Sequence, residues 1–420
     1  MPVTLVVGSQ YGDEGKAKII DYLAQDADCV IRAQGGQNAG HTVVNEFGKF
    51  VFHGVPSGIF NPDAICIIGP GTVINPIDLL DEMKELEAKG ISLDNLFISD
   101  AAHIVMPYHK EQEQLEENRL GGYKIGTTLR GIGPTYADKA ARYGIRAGDL
   151  LDHHWLRKRN EIVSLIRGIS SAAKREENLN LLDYYSDKLK NRIINTQKLV
   201  HSLIQQDKNI LVEGQLGTMR DIDHGIYPYV TSSAPSAAGL CQGAGIPPTK
   251  VTSVIGVVKA YSTMVGAGPM VCELKDEDGR FLQEKGKEFG ATTGRPRRCG
   301  WLDLVALRTS AIVNGFTGLA VTKLDVLEGL PEIKVCTQYQ TTYFDGRGPQ
   351  EEFVSTADQE NAIPVYRTLK GWKKTELDCD CDDSKDWGAV DTYLQLIENT
   401  MDAPIEYVST GPEREKTFKY

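Results

Sequence analysis

No run of eighteen apolar residues occurs in this 420-residue chain, so a membrane-spanning helix is excluded on length. Met1-Pro2-Val3-Thr4 leads straight into an apolar segment, with neither a charged leader nor a cleavage site, which argues against secretory export. Basic runs interleaved with aromatics are missing, and 46 Lys and Arg stand against 57 Asp and Glu, a net charge of −11. That balance argues against a nucleic-acid surface but not against small phosphorylated ligands, which need only local positive charge. The eight cysteines (29, 66, 241, 272, 299, 336, 379 and 381) are scattered, and only Cys379-Asp380-Cys381 is close-spaced. With no second pair or histidine cluster to complete a zinc site, they read as reduced, mostly buried thiols of a cytoplasmic protein. Internal repeats and low-complexity tracts are absent as well.

What is present is ordinary in bulk, 41% hydrophobic and 25% charged, and distinctive in arrangement. Short runs rich in Val and Ile recur at Val3–Val7, Cys29–Arg32, Ala64–Ile68, Leu96–Ser99, Ile210–Val212, Val251–Val258, Leu319–Thr322 and Ile405–Ser409. They show little alternation, as strands covered on both faces should. Helical patterns lie between them; Pro76–Lys89 carries apolar residues at 79, 80, 83 and 86. The expected class is therefore α/β, a large mainly parallel central sheet flanked by helices, with helical insertions. One unit spanning residues 1–420 fits better than separate domains. The polar, Lys/Glu/Asn-rich stretch of about 150–208 is expected to be a helical insertion, and 373–385 an acidic surface loop.

Three loops carry chemistry. Gly8-Ser9-Gln10-Tyr11-Gly12-Asp13-Glu14-Gly15-Lys16 follows the first strand and resembles a phosphate cradle, but it departs from G-x-x-x-x-G-K-[ST]. Its spacing is two residues too long, Ala17 stands where a metal-binding hydroxyl should, and two carboxylates sit where phosphate would repel them. Asp13 is a natural substitute ligand for a hard cation. Gly35-Gly36-Gln37-Asn38-Ala39-Gly40-His41-Thr42 follows the second strand. If the sheet is parallel, both loops share its C-terminal edge, where Asp13 and His41 can converge as base and acid. Thr322-Lys323-Leu324-Asp325 closes a later strand. An aspartate there accepts from both N1–H and the 2-amino group of guanine, which adenine cannot satisfy. Ser409-Thr410-Gly411-Pro412 follows the last strand and can complete the base pocket. Gly126–Pro134 with Arg142, and Ala291–Arg298 with its three arginines, concentrate donors suited to phosphate or a dicarboxylate.

Together with IGTTLRGIGPTYADKAAR, DIDHGIYPYVTSS and TTGRPRRCGWLD, these blocks closely resemble the adenylosuccinate synthetase family, in the family's order over residues 8–412. The resemblance implies that L-aspartate is ligated to C6 of IMP with GTP and Mg2+, through a 6-phosphoryl intermediate, giving adenylosuccinate, GDP and phosphate. It implies catalytic roles for Asp13 as base and His41 as acid, with Asp13 and the carbonyl of Gly40 holding magnesium. Carried over by position, IMP meets Asp13, Glu14, Gly15, Lys16, Asn38, Ala39, Gly40, His41, Thr128, Leu216, Thr231 and Arg295. Arg142 reaches the IMP of a neighbouring subunit, which implies a homodimer. Aspartate meets Ala291, Thr292, Thr293, Gly294, Arg295 and Arg297. GTP meets Gly12 through Lys18, Ala17 included, then Gly40, His41, Thr42, Arg297, Lys323, Leu324, Asp325, Ser409, Thr410 and Gly411.

The chain departs from that pattern at several positions. Ala17 replaces a usual glycine, Tyr11 a tryptophan and Pro296 a basic residue. In Glu213-Gly214-Gln215-Leu216-Gly217, the family usually has an amide side chain where Leu216 stands, and that amide hydrogen-bonds the purine. Either Gln215 takes its place by a one-residue shift or the base pocket differs. Two rival readings follow. In one, the same chemistry acts on GMP or dGMP; in the other, the chain is a GTP-binding regulator without catalysis. Retention of Asp13 weighs against the first, and retention of Asp13 and His41 against the second.

Overall fold

The computed structural model describes residues 3–290, 294–341, 349–373 and 384–420. The three aspartate-loop positions Ala291, Thr292 and Thr293, the close cysteine pair and most of the acidic stretch 373–385 lie outside the described residues.

The strand Val3–Gly8 forms the middle of an eleven-stranded sheet. On one side lie Ser253–Lys259, Gly318–Thr322, Ile405–Ser409 and the short Thr417–Lys419. On the other lie Ile210–Glu213, Cys29–Gly35, Ile65–Ile74, Leu96–Ser99 and Ile193–Ile194, with the eleventh strand, His103–Ile104, paired in parallel to the far end of Ile65–Ile74. Thr417–Lys419 runs antiparallel to its neighbour and the other pairings are parallel. The α/β class and parallel sheet expected from the sequence are therefore what the chain forms.

Alternation decides which face each strand residue covers, even where both faces are buried. Val3, Leu5 and Val7 join a core with Val200, Leu240, Leu307 and Leu394 from helices Thr196–Gln205, Ala237–Ala244, Leu304–Asn314 and Ser384–Met401. Val6 joins the opposite core with Ile19 and Ile20 of Lys16–Leu23 and with Leu79, Met83 and Leu86 of Pro76–Ala88. That last helix begins where the chain supplies its start signals: the Asn75 side chain accepts from Ile77 N at 3.2 Å and Pro76 occupies the first turn. Between residues 150 and 208 stand helices His153–Ile166, Ala172–Leu189 and Thr196–Gln205.

Parallel register brings the functional loops together. Val6 and Arg32 both lie opposite Glu213 on the intervening strand, so the loops after Val3–Gly8 and Cys29–Gly35 flank Glu213–Gly217. Gly8 pairs with Val257 and Lys259 with Thr322, placing the segments after residues 259 and 322 on the same C-terminal edge.

Candidate active site

The first loop closes on itself through Glu14. Its buried carboxylate accepts from Gln10 N at 3.0 Å and Gly12 N at 2.8 Å, and from the buried Lys16 ammonium. Glu14 is thus the structural carboxylate of the pair, turned inward to hold the cradle's shape. Asp13 is turned out: its backbone has φ 60° and its side chain is exposed. Gly15, at φ 90°, leads into helix Lys16–Leu23, a backbone that side-chain-bearing residues adopt only with strain. The amides of this helix start face the loop, an arrangement that favours anions.

Asp13 Oδ1 accepts from Arg297 at 3.0 Å, and Arg297 also reaches Glu288 at 2.7 Å. Glu288 is fully buried and gathers Lys259 at 3.2 Å, the Tyr261 hydroxyl and, more distantly, Lys323 at 3.7 Å. Burial alone would raise its pKa, but Lys259, Lys323 and Arg297 overcome that and hold it down to about 2. Arg297 itself is pushed up, burial being outweighed by Asp13 and Glu288.

His41 opens the strand His41–Asn45 and is buried with Nδ1 against Glu213 Oε1. Ser57 fixes the far side of that carboxylate, its N donating at 2.8 Å to Oε2 and its Oγ at 2.7 Å to Oε1. Burial lowers the His41 pKa and the Glu213 bond opposes it; Glu213 stays below the usual carboxylate range despite burial, through His41 and Arg32. An ionised Glu213 requires a proton on Nδ1, so Nε2 is the nitrogen left to face a ligand.

The third loop puts Lys323 in the left-handed region at φ 65° with its ammonium on Gly286 O at 2.7 Å. Asp325 Oδ1 is buried with no hydrogen-bond partner, and burial raises its pKa. Beside it Lys18 donates to Ser409 Oγ at 2.5 Å and Gly411 O at 2.6 Å, tying the first helix to the terminal loop. Burial lowers Lys18 to about 8, with Asp325 opposing. Leu324 packs into the core and Thr410 N donates to Lys416 O at 3.0 Å.

The remaining expected residues are distributed as follows. Asn38, Ala39, Gly40 and Thr42 line the second loop or its exit around His41. Thr231 is buried on the turn after Arg220, whose carbonyl accepts its N–H at 2.9 Å. Thr128 is half-buried on the loop that Arg295 contacts through Gly126 O at 3.2 Å and Thr127 O at 3.4 Å. Gly294 is exposed beside it, with φ 64°. Arg142 ends helix Ile132–Ala141 and is exposed.

Leu216 is half-buried at φ 62°, close enough to Gly12 that a Cβ built there would lie 3.3 Å from Leu216 Cδ2. Gln215 is fully buried and points under the second loop, so it does not take the outward place that a one-residue shift would require. Sequence reasoning missed Glu213, Ser57, Lys259 and Glu288. Glu213 had a signal, a lone carboxylate closing an otherwise apolar strand; Glu288 had none.

The adenylosuccinate synthetase family model matches residues 5–418. The adenylosuccinate synthetase of Gloeothece citriformis is 48% identical over all of this chain and 94% of its own length. That of Carboxydothermus hydrogenoformans is 46% identical over all of this chain and 99% of its own. The solved, fully ligated adenylosuccinate synthetase of Plasmodium falciparum superposes with TM-score 0.92 at 37% identity, covering both chains entirely. A succinoaminodeoxyadenylate synthetase of cyanophage S-2L, solved with dGMP and dATP, shares the fold at TM-score 0.65 and 19% identity, covering all of this chain and 95% of that one. The chain belongs to the adenylosuccinate synthetase family and is a carbon–nitrogen ligase.

Proposed function

We propose that this chain ligates L-aspartate to C6 of IMP at the expense of GTP, with Asp13 as base and His41 as acid. The observation that carries the assignment is the placing of an outward Asp13 and a Glu213-held His41 in loops on either side of one strand end. Asp13 removes the N1 proton of IMP, and the electron pair moves to O6, which attacks the γ-phosphorus of GTP. GDP leaves as the O6–P bond forms, with His41 Nε2 donating to the phosphoryl oxygens. Bound phosphate charge opposes the burial that keeps the imidazole neutral, and the Glu213 carboxylate supports the cation. The aspartate amine then attacks C6, the C6–O6 bond breaks, and phosphate departs in place of a poor hydroxide-like leaving group, taking up the proton that the amine nitrogen loses.

Magnesium fits the donor set. The described residues hold no cluster of three or more His, Cys, Asp or Glu, and magnesium commonly takes only one or two protein carboxylates, completing its shell with waters and phosphates. Asp13 and the Gly40 carbonyl would hold it, and it would offset the charge between carboxylate and phosphates. Asp325, with its buried unpaired oxygen, would read guanine, flanked by Lys323, Leu324, Ser409, Thr410 and Gly411. Lys16, Lys18 and the cradle amides of Gly12 through Ala17 would face GTP phosphates, with Gly40, His41 and Thr42 opposite. Asn38, Ala39, Thr128, Leu216, Thr231 and Arg295 would contact IMP, and Gly294, Arg295 and Arg297 aspartate, with Ala291, Thr292 and Thr293. The exposed Arg142 would enter the partner's site in a homodimer. A cytoplasmic location agrees with six free, buried cysteines and with the lack, among described residues, of any helix long and apolar enough to cross a membrane.

The test is a panel of IMP, dIMP, GMP and dGMP with GTP, magnesium and aspartate held constant, the succinyl-purine product being detected by mass. Preference for IMP is expected. Preference for a 2-amino purine would overturn the substrate assignment and make Leu216, which offers no hydrogen bond to a base, the first position to examine.

A further inference from the structure

Gln215 lies between a buried cation and a residue that faces the nucleotide. Its Oε1 accepts from Arg32 Nη2 at 2.8 Å and from Gly36 N at 3.1 Å. Both donors are fixed chemically, an arginine and a backbone amide, so they set which end of the Gln215 amide faces them. The other end, Nε2, then donates to Asn38 Oδ1 at 2.5 Å, and Gly36 N adds a second, longer donor to the same oxygen at 3.2 Å. With Oδ1 occupied from beneath, Asn38 can present only its NH2 outward. Arg32 is itself fully buried and anchored on Gly36 O at 3.1 Å, so the chain starts from an immobile charge.

The loop is built around this side chain. A Cβ on Gly35, which has φ 80°, would overlap the Gln215 amide. Gln34 Nε2 donates to the Gln215 carbonyl at 2.6 Å and fixes its backbone as well. The left-handed backbone of Leu216 follows immediately, and Gln215 turns inward while Leu216 turns towards Gly12.

We propose that Gln215 is a positioning residue for nucleoside monophosphate binding: the Arg32–Gln215–Asn38 chain locks Asn38 as a hydrogen-bond donor to an acceptor oxygen of the monophosphate. Such an oxygen only accepts, so an Asn38 amide free to rotate would present its own oxygen part of the time and repel the ligand. This inference rests on the IMP reading above.

The discriminating variant is Gln215→Glu. The new carboxylate still accepts from Arg32 but has no proton to give Asn38, so it draws the Asn38 NH2 inward and turns Oδ1 outward. The expected result is a rise of about tenfold or more in KM for IMP, with KM for GTP and kcat unchanged, the size of one lost hydrogen bond to a charged group. Asn38→Ala gives a similar rise, and Gln215→Glu added to Asn38→Ala gives no further loss, because Gln215 acts only through Asn38. Should Gln215→Glu lower the melting temperature too far for assay, Gln215→Met removes the same donor without adding charge and completes the cycle. Additive losses, or equal rises in KM for IMP and GTP, would overturn the proposal. If the unmodified protein prefers another monophosphate, the IMP reading fails, and the same cycle run on that nucleotide still decides the role of Gln215.

Discussion

At the residue scale, two neighbouring carboxylates in one loop have opposite fates. Glu14 is consumed by backbone amides and Lys16; among the described residues Asp13 pairs with Arg297, and its side chain stays exposed. Asp13→Asn preserves shape and removes the base, so product formation should fall by at least about 100-fold under saturating substrates, the usual contribution of a general base. Turnover near that of the unaltered protein would end the mechanism. Glu213 makes a second residue-scale prediction. Replacing it by Gln removes the charge that supports a protonated His41 and lowers the imidazole pKa further. With His41 as the proposed acid, activity is lost as pH rises through its pKa. The alkaline limb of the kcat profile should therefore move to lower pH in Glu213→Gln, and an unmoved limb would show that His41 is not the titrating acid.

Asp13, His41 and Asp325 could be singled out in the sequence as candidates because each sits in a glycine-rich or strand-closing stretch, and the fold brings the Asp13 and His41 loops to either side of one strand end. Glu288 could not. It lies in Gly286-Lys287-Glu288-Phe289-Gly290, which reads as surface, and its partners Lys259, Arg297 and Lys323 come together only on folding. Gln215 shows a subtler limit: one dihedral choice at Leu216 decides which of two adjacent side chains faces the ligand.

At the scale of elements, the strand positions could be read because apolar Val/Ile runs covered on both faces leave little freedom in register. What links the element ends was less visible. The segment after Ser253–Lys259, the stretch around Arg297 and the loop after Gly318–Thr322 are joined by one buried carboxylate. Glu288→Gln leaves the buried Lys259 without its ion-pair partner and Arg297 with Asp13 alone, and should cost about 3 kcal/mol in chemical denaturation near neutral pH. The acid dependence has a definite sign. The Glu288 pKa is depressed from 4.5 to about 2, so its contribution is fully present above 4.5 and is lost as pH falls towards 2. The gap between the Gln variant and the unaltered protein should therefore begin to narrow below about pH 4.5 and close only near pH 2, and parallel curves down to that pH would show that Glu288 does not carry the linkage. The loop 125–127 is held in a similar way by Glu117, which accepts from the N–H groups of Ile125, Gly126 and Thr127.

At the scale of the molecule, the sheet gathers the loops proposed to hold GTP and IMP along one edge, yet one expected IMP contact turns away from its own chain. Arg142 ends helix Ile132–Ala141 in the left-handed region at φ 71°, exposed, and the described residues give it no ion pair. An arginine placed so can serve a second copy of the chain. If it does, the site is complete only in the dimer, and specific activity becomes a function of protein concentration. Dilution through the dissociation range should reduce activity per chain, added IMP should oppose that loss, and Arg142→Ala should raise KM for IMP without abolishing turnover. Sedimentation at the assay concentrations would show whether mass falls in step with activity. Constant activity across a measured dimer-to-monomer transition would mean that each chain binds IMP unaided and that Arg142 has no part in a neighbour's site.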